Sequence, residues 1–303
     1  MNNMKRILRV ISIALITLCS CANSNEPTPS GTPTTPVKPS EEKKPYDENG
    51  ALKGRFYISP TKMVRFSRGL LRYDPQKTSD AWSFADDQLS MLSKESSTTK
   101  TSKFDRFGWA TSGYNNYLPT TNGDRYDYYY QGMVDISGTD YDWGSYNAIS
   151  NGGNKKGYWR TLRSSEWQYL IDQRPNAYDK LGYAKVNGNL GLVLLPDDWE
   201  WKSTEPCPFV ATYKYEGKRL QYATDEAYQT YTSSDWKKLE MNGAVFIICD
   251  ASTWTSTPGK DKSVACSFRF QYDLALNQQN FCYKALSTSG RHMNYFVRLV
   301  TDK

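Results

Sequence analysis

Short apolar runs and many aromatic rings limit what this chain of 303 residues can fold into. Hydrophobic residues make up only 38% of the sequence, whereas aromatic residues reach 14% and tyrosine alone occurs 23 times. The runs from Leu190 to Trp199 and from Gly243 to Asp250 are short and aliphatic, as buried strands are. We therefore expect a loop-rich, largely β protein whose core is built from large rings.

Further strands are predicted where apolar and aromatic residues lie between turn residues. They are Met63 to Asp74, Ala81 to Asp87, Val264 to Leu274 and Asn294 to Val300. The first two are joined by a turn-rich segment, Pro75 to Asp80, which predicts a strand pair.

A first amphipathic helix is predicted because Trp167, Leu170 and Ile171 share one helical face. Ser164 is the expected N-cap, and Pro175 is expected to end the helix near residue 173. We interpret this helix as a structural element that supports the sheet.

A second helix is predicted from Ser233 or Ser234, with Trp236 and Leu239 facing inward. Gly243 is suited to the left-handed conformation that ends such a helix.

The first 20 residues have the pattern of a secretory signal, with a basic start and a nine-residue, mostly apolar core from Val10 to Leu18. That stretch is too short to span a bilayer as a helix, which takes about 20 residues. The signal ends in Leu-Cys-Ser-Cys, which resembles a bacterial lipobox and predicts Cys21 as the lipid-modified first residue of the mature chain. The alternative is an ordinary signal peptide with a cysteine near its cleavage site by chance.

Residues 21–54 are rich in proline, threonine, serine and glutamate, which predicts an extended tether, and residues 55–303 are predicted to form one folded domain. Loss of Lys5, Arg6 and Arg9 with the signal would lower the formal charge from +6 to +3. So small a surplus argues against nucleic acid as a partner.

Several segments resemble those of surface lipoproteins from Bacteroides-type bacteria. In chain order they are VRFSRGLLRYD, AWSFADDQ, FGWATSGYNN, DWGSYNAISNGGN, GLVLLPDDW, LEMNGAVFI, TWTST and YFVRLV. The stretch YWRTLRSSEWQYLI, from Tyr158 to Ile171, also resembles a helix start in C-type-lectin-like domains related to the formylglycine-generating enzyme. The resemblance implies a single α+β domain of C-type-lectin-like fold, with a twisted antiparallel sheet, two helices and long loops.

The chain departs from the active members of these families. Its late cysteines do not reproduce the copper site of the formylglycine-generating enzyme, since Cys249, Cys266 and Cys282 fall inside predicted strands. The Glu-Pro-Asn motif of calcium-dependent lectins is replaced by Glu205-Pro-Cys207. Fold similarity alone therefore assigns no activity.

Few residues favour catalysis or metal binding. The single histidine, His292, lies in a polar turn and is interpreted as a loop residue rather than a base. Asp135, Asp140 and Asp142 are the candidate calcium ligands, because carboxylates on one loop supply hard oxygens, although such residues are also common in turns. No other cofactor is expected.

Four cysteines of the predicted domain, Cys207, Cys249, Cys266 and Cys282, would lie in a compartment where disulfides form. Their pairing is open, because four cysteines allow three connectivities. Structural bridges are the first interpretation and buried free thiols the second.

Tyrosines concentrate among polar neighbours from Asp124 to Gly132. Tyr126, Tyr128, Tyr129 and Tyr130 are the candidate ligand-binding residues, because an exposed ring offers a flat apolar face with a hydrogen-bonding tip. The alternative is that these rings only fill the two faces of a strand.

Taken together, these features predict a non-catalytic surface module that is anchored by lipid to the outer membrane, faces outward, and binds a glycan or a protein through its loops. The alternative is a structural accessory or tip subunit of a surface fibre or envelope complex. An enzyme is the third hypothesis.

Overall fold

The structure is a computed structural model that describes residues 43–92, 101–216, 219–222, 228–249, 251–273 and 281–303. The signal segment and Cys21 lie outside the described residues. Lys43–Lys303 form one compact unit, so the domain begins earlier than the predicted boundary at residue 55. The reason is that Ala51 and Leu52 are fully buried, and the Leu52 amide donates to the Phe66 carbonyl at 2.8 Å.

The described strands are short, and only two of them reach ten residues. In chain order they are β1 (Phe56–Tyr57), β2 (Met63–Phe66), β3 (Leu71–Tyr73), β4 (Trp82–Phe84), β5 (Arg160–Thr161), β6 (Leu181–Val186), β7 (Asn189–Leu194), β8 (Tyr213–Glu216), β9 (Arg219–Tyr222), β10 (Gln229–Tyr231), β11 (Val245–Ile248), β12 (Thr253–Pro258), β13 (Val264–Asp273), β14 (Phe281–Gly290) and β15 (Leu299–Thr301). They pair into the sheets β1-β2-β15-β5, β10-β6-β7-β11 and β12-β13-β14 and the hairpins β3-β4 and β8-β9.

The pairing is antiparallel throughout the described strands, apart from the parallel pair of β10 and β6. The protein is therefore mixed α+β with mostly antiparallel strands, as predicted. The expected single sheet is divided into smaller ones because tight turns interrupt the apolar runs. Between β2 and β3, for example, the Ser67 hydroxyl donates to the Gly69 carbonyl at 2.8 Å, and a Cβ on Gly69 would lie 2.7 Å from the Ala85 oxygen.

Three α-helices are described: α1 (Trp143–Tyr146), α2 (Ser164–Gln168) and α3 (Ser233–Met241). Both predicted helices are thus present. α2 continues as a π-helical turn over Tyr169–Gln173, so the second half of that helix is wound more widely than predicted. Among the described residues, no helix is long and apolar enough to span a bilayer.

The N-caps of both helices lie one or two residues before the predicted positions. The Arg163 amide donates to the Glu166 carboxylate at 2.8 Å, which makes Arg163 the N-cap of α2. Thr232 caps α3, because its hydroxyl accepts from the Asp235 amide at 3.1 Å. Gly243 follows α3 at a φ of 94°, so its predicted left-handed conformation is confirmed.

Large rings fill the core, as the composition predicts. Trp109, Trp143, Trp159, Trp167 and Trp254 are all less than 2% exposed. The Trp167 ring of α2 lies parallel to the Phe268 ring of β13, with centroids 4.4 Å apart. α2 therefore supports this sheet, in agreement with its predicted structural role.

Arg160 connects the start of α2 with the end of the chain. Its guanidinium donates to the Glu166 carboxylate at 2.8 and 3.0 Å and to Asp302 at 3.0 Å. Next to this ion pair, β5 pairs with β15, and Arg160 lies opposite Val300 in the register of the two strands. The arginine before α2 is thus a structural residue, because its charge is used within the fold.

We expect the change Trp167→Ala to lower the free energy of unfolding by about 3–5 kcal/mol, because it removes a buried ring and leaves a cavity. Urea unfolding followed by circular dichroism measures this loss. Gln168→Ala, at the exposed next position, should stay within about 0.5 kcal/mol of the parent. Equal unfolding midpoints for Trp167→Ala and the parent would contradict the structural role of α2.

A pH dependence follows from Asp302. Burial opposes ionisation of this carboxyl, but Arg160 and Lys62 outweigh it and hold the pKa of Asp302 below its ordinary value. A lowered folded-state pKa stabilises the protein above the unfolded-state pKa of about 3.9, and this contribution is lost as the pH falls through the folded-state pKa.

Asp302→Asn should therefore be less stable than the parent at neutral pH, and the difference should shrink as the pH is lowered towards about 3. Urea midpoints across this pH range measure the difference. Asp80→Asn, at an exposed turn residue with a φ of 54°, is the control and should show no such convergence. A constant difference at all pH values would disprove this assignment.

Candidate binding surface

The loop between β4 and α1, together with α1 itself, carries most of the tyrosines near the predicted site. We define the tyrosine surface as Tyr114, Tyr117, Tyr126, Tyr128, Tyr129, Tyr130, Tyr141 and Tyr146. The four predicted ligand-binding tyrosines belong to it. The other four were missed because they are separated along the sequence and meet only in the fold.

Direct ring contacts connect six of these tyrosines into two groups. Tyr117 and Tyr129 stack with centroids 4.4 Å apart and planes at 4°. Tyr141 lies 4.1 Å from Tyr130 and 5.2 Å from Tyr114, and Tyr114 in turn contacts Tyr146 at 5.5 Å. These contacts restrain the rings before any ligand arrives, which lowers the entropy lost on binding.

The four predicted tyrosines differ in exposure. Tyr126 is 76% exposed, whereas Tyr128 and Tyr129 are half-buried. Tyr130 turns inward, where its ring lies 5.7 Å from the buried Trp109. Tyr130 is half-buried like Tyr128 and Tyr129, and its ring also completes the core beneath the loop.

Exposed apolar side chains are concentrated in the same loop. Within the part of the chain that the structure describes, five of the nine large hydrophobic side chains that are exposed come from residues 117–134. They are Tyr117, Leu118, Tyr126, Met133 and Val134. Such a concentration of exposed apolar side chains is typical of an interaction site.

Arg291 attaches the loop to the body of the domain. This fully buried guanidinium donates to the carbonyls of Tyr130 at 2.7 Å, Gly132 at 2.9 Å and Val264 at 3.1 Å. It also lies over the Trp109 ring, 4.3 Å from the centroid. A single cation thus connects the tyrosine-bearing loop to β13 and to the core.

Asn294 attaches the same loop at a second point. Its side-chain oxygen accepts from the Thr121 amide and the Thr120 hydroxyl, both at 3.1 Å, and its amide nitrogen donates to the Thr121 carbonyl at 2.9 Å. Arg291 and Asn294 belong to the segment after β14, so one short segment holds the loop at both places.

The phenol groups of Tyr129 and Tyr141 keep their protons at neutral pH. Burial, and then the carboxylate of Asp127, raise the pKa of Tyr129 above its ordinary value. Burial, followed by the neighbouring phenols of Tyr114 and Tyr130, raises the pKa of Tyr141. The hydroxyls therefore act as neutral donors and acceptors, which suits sugar hydroxyls and protein amides.

Asp142, one candidate calcium ligand, is fully buried. Its carboxylate accepts hydrogen bonds from the Thr161 amide and hydroxyl at 2.9 and 2.8 Å and from the amides of Gly138 and Gly144 at 3.1 and 3.2 Å. These four bonds cap α1 and join it to β5. The carboxylate thus has a structural role at the start of α1.

The other two candidate ligands lie in different surroundings. Asp135 accepts from the Thr257 hydroxyl at 2.9 Å and faces Arg163 at 3.5 Å, whereas Asp140 is exposed. In the described ranges no three acidic, histidine or cysteine side chains are arranged to hold a metal ion. Among the described residues these three aspartates are therefore not brought together as one set of ligands, since the Asp142 carboxylate caps α1 and the Asp135 carboxylate is bonded to Thr257.

His292 lies in the turn after β14, as predicted. Its ring packs so closely over Gly290 that a Cβ there would lie 2.2 Å from the imidazole. Nδ1 is buried and has no hydrogen-bond partner among the described residues.

Two of the four cysteines do not form the structural bridges that were the first interpretation. Cys207 is an exposed free thiol and Cys266 a half-buried one. Burial raises the pKa of the Cys266 thiol, which keeps it protonated and unreactive. Cys249 is half-buried, and the side chain of Cys282 lies outside the described part of the chain.

We expect Arg291→Lys to loosen the tyrosine-bearing loop, because lysine cannot donate to three separate carbonyls in the same planar geometry. The free energy of unfolding should fall by about 1.5–3 kcal/mol. Hydrogen exchange of the amides from 128 to 133 should accelerate as well. Urea unfolding and exchange mass spectrometry measure the two effects.

Arg125→Lys is the matched control, because Arg125 also lies over a tyrosine ring, 5.2 Å from the centroid of Tyr126, but is exposed. This variant should leave both stability and exchange unchanged. Unchanged exchange in Arg291→Lys would show that Arg291 does not hold the loop.

Comparisons with known proteins leave the function of this surface open. No family model matches the chain, and neither a curated protein nor a solved structure matches it. The function is therefore inferred from the residues and their geometry.

Proposed function

We propose that this chain is a non-catalytic binding module, attached by a lipid to the outer face of the outer membrane, that recognises a glycan or a protein through the tyrosine surface. The observation that carries the proposal is the stacked pair of Tyr117 and Tyr129 beside the strongly exposed Tyr126. Flat rings with hydroxyl tips, held in place beforehand, are efficient binding elements because they bury apolar area at little entropic cost.

Support for a role in binding also comes from how the loop is built. The buried guanidinium of Arg291 and the amide of Asn294 keep a long, polar loop ordered on the domain. A loop that served only as a connection would not need such attachments, because surface loops tolerate motion and variation. We infer that the order of this loop serves recognition.

For the fold we propose a C-type-lectin-like domain. The support consists of the mixed α+β class, the mostly antiparallel sheets and the two predicted helices, α2 and α3. The segments quoted for the resemblance also fall on elements of the structure, for instance GLVLLPDDW on β7 and TWTST on β12.

The lipid anchor is proposed from Cys21 and the residues around it. An acyl chain contributes about 0.8 kcal/mol for each CH₂ group buried in the bilayer, so several chains on one cysteine hold a protein firmly. The proline-rich segment that follows Cys21 would separate the domain from the membrane surface.

A structural role in a fibre or envelope complex is the second candidate. The aliphatic side chains of Leu118, Met133 and Val134 favour it, because they are exposed beside the tyrosines and suit a protein surface better than a sugar. In that case the same loop would contact a neighbouring subunit.

The test compares the chain from Ala22, which lacks the anchor cysteine, with its Tyr117→Ala/Tyr129→Ala variant on a glycan array. The same two chains in full length are compared in cross-linking on the bacterial surface. We expect the double variant to lose at least about tenfold in affinity for its ligand. Its melting temperature should stay close to that of the parent, because both rings are partly exposed.

Tyr169→Ala, at a half-buried tyrosine of the π-helical turn, is the control and should bind like the parent. Glycan binding supports the first candidate, and cross-links to fibre subunits without glycan binding support the second. In the full-length chain Cys21→Ala should release the protein from the membrane fraction. Retention of that variant, or a catalytic turnover abolished by changing His292, would contradict the proposal.

A further inference from the structure

β14 is an edge strand of its sheet. It pairs with β13 at ten positions, from Phe281 opposite Asp273 to Gly290 opposite Val264. In the sheet order β12-β13-β14, no described strand lies on the other side of β14. An edge strand turns about half of its N–H and C=O groups away from the sheet, and another strand is the partner that bonds them as a set.

The features that usually keep an edge strand from pairing are scarce in β14. Its ten pairs with β13 run without a shift of register, whereas the pairing of β12 with β13 shifts between Trp254 and Pro258. Its sequence, FCYKALSTSG, has no proline and a single charged residue, Lys284. Natural edge strands avoid association by being short, charged, bulged or broken by proline, so this edge is suited to an interface.

An exposed leucine lies in the middle of the edge. Leu286 is 39% exposed and lies opposite Phe268 of β13, on the face of the sheet that α2 covers. A groove of about 320 Å³ opens there between the sheet and the helix, and its lining residues are Trp167, Gln168, Ile171, Asp172, Phe268 and Leu286. A second leucine beside Leu286 would cover part of this groove and remove apolar area from water.

A second copy of β14 supplies that leucine. When two identical strands pair antiparallel about a twofold axis at Leu286, the two leucines lie opposite each other, on the same face of the joined sheet. This register places Lys284 opposite Thr288, so the single charged residue of one strand does not meet that of the other. One edge thus provides both the matching backbone groups and the apolar side chain.

We propose that β14 pairs with β14 of a second copy of this chain, antiparallel and centred on Leu286. The two three-stranded sheets then form one continuous sheet across the twofold axis. The leucine of each copy packs beside the groove of the other. Because this pairing occupies the β14 edge of both copies, the contact closes a dimer.

The dimer carries two tyrosine surfaces. Arg291, which attaches the tyrosine-bearing loop, follows β14 directly and lies five residues from the axis. At about 3.3 Å per residue, the two copies of Arg291 lie roughly 33 Å apart, at opposite ends of the paired strands. A polymeric ligand could then be bound at two points, a consequence that rests on the proposed function, whereas the dimer itself does not.

Sedimentation equilibrium of the chain from Ala22 tests the dimer without any ligand, so its result does not depend on the proposed function. We expect twice the monomer mass in concentrated samples and dissociation on dilution. Leu286→Lys should weaken dimerisation at least about tenfold, because it places two ammonium groups opposite each other. Added salt should partly restore the dimer of this variant, since salt screens the repulsion.

Val210→Lys is the matched control. Val210 is 41% exposed, close to the value for Leu286, and lies in the loop between β7 and β8. This variant should dimerise like the parent, and circular dichroism checks that each variant keeps its fold. A parent that stays monomeric at every concentration, or a Leu286→Lys variant that dimerises like the parent, would overturn the proposal.

Cysteine cross-linking tests the register in the full-length chain, in a background of Cys207→Ser and Cys282→Ser. Leu286→Cys should form a disulfide between two copies on mild oxidation, because opposite residues have Cα atoms about 4.5–5.5 Å apart. Thr288→Cys is the control at an exposed position of the same strand. It lies roughly 13 Å from its counterpart in this register and should stay unlinked.

The cross-linked products also identify any other occupant of the edge. Linkage of Thr288→Cys in preference to Leu286→Cys would overturn the register centred on Leu286. Linkage of Leu286→Cys to a different protein instead of a second copy would overturn the dimer and assign the edge to a strand of that protein.

Discussion

The hydrogen bond from a buried indole N–H to a distant backbone carbonyl is the interaction on which this fold depends. Trp109 donates to the Thr255 carbonyl at 2.8 Å, Trp254 to the Phe107 carbonyl at 2.7 Å and Trp159 to the Gly152 carbonyl at 2.7 Å. Each of these rings buries a large apolar area. Its N–H also donates to a backbone carbonyl that a neighbouring strand would bond in a longer sheet. Short strands are sufficient here because tryptophans attach the loops directly to the core.

The tyrosine surface continues from this core. The two indole hydrogen bonds between residues 107–109 and β12 hold the start of the tyrosine-bearing loop. Arg291 lies over the same Trp109 ring. Tyr130 packs against Trp109 from the loop side. Only Tyr130 lies between the buried Trp109 ring and the outer ring of Tyr141, so packing in the core also restrains the outer rings that contact it.

The elements could be predicted where the pattern is local. The faces of α2 and α3, the end of α3 at Gly243 and the aliphatic strands β7 and β11 all follow from the spacing of neighbouring residues. The division into several sheets could not be predicted, since it depends on pairings between distant segments, such as β2 with β15.

The site was only partly predictable for the same reason. Tyr126 and Tyr129 stand out by composition, but Tyr117 becomes part of the surface only through its stacking on Tyr129. The role of Arg291 could not be predicted from the sequence, because its partners are backbone carbonyls, which every residue type has. Asp142 could be interpreted from the sequence as a turn residue or as a metal ligand, because a carboxylate that caps a helix has the same local sequence as one that binds a metal.

The position of β15 has a consequence for biosynthesis. The last strand of the chain lies between β2, near the start of the domain, and β5. That sheet cannot close until β15 has been made, because β2 and β5 each pair with β15 and not with each other. Closure of this sheet therefore waits for a pairing between segments that are far apart in the chain, which is slower than closing a hairpin such as β6-β7.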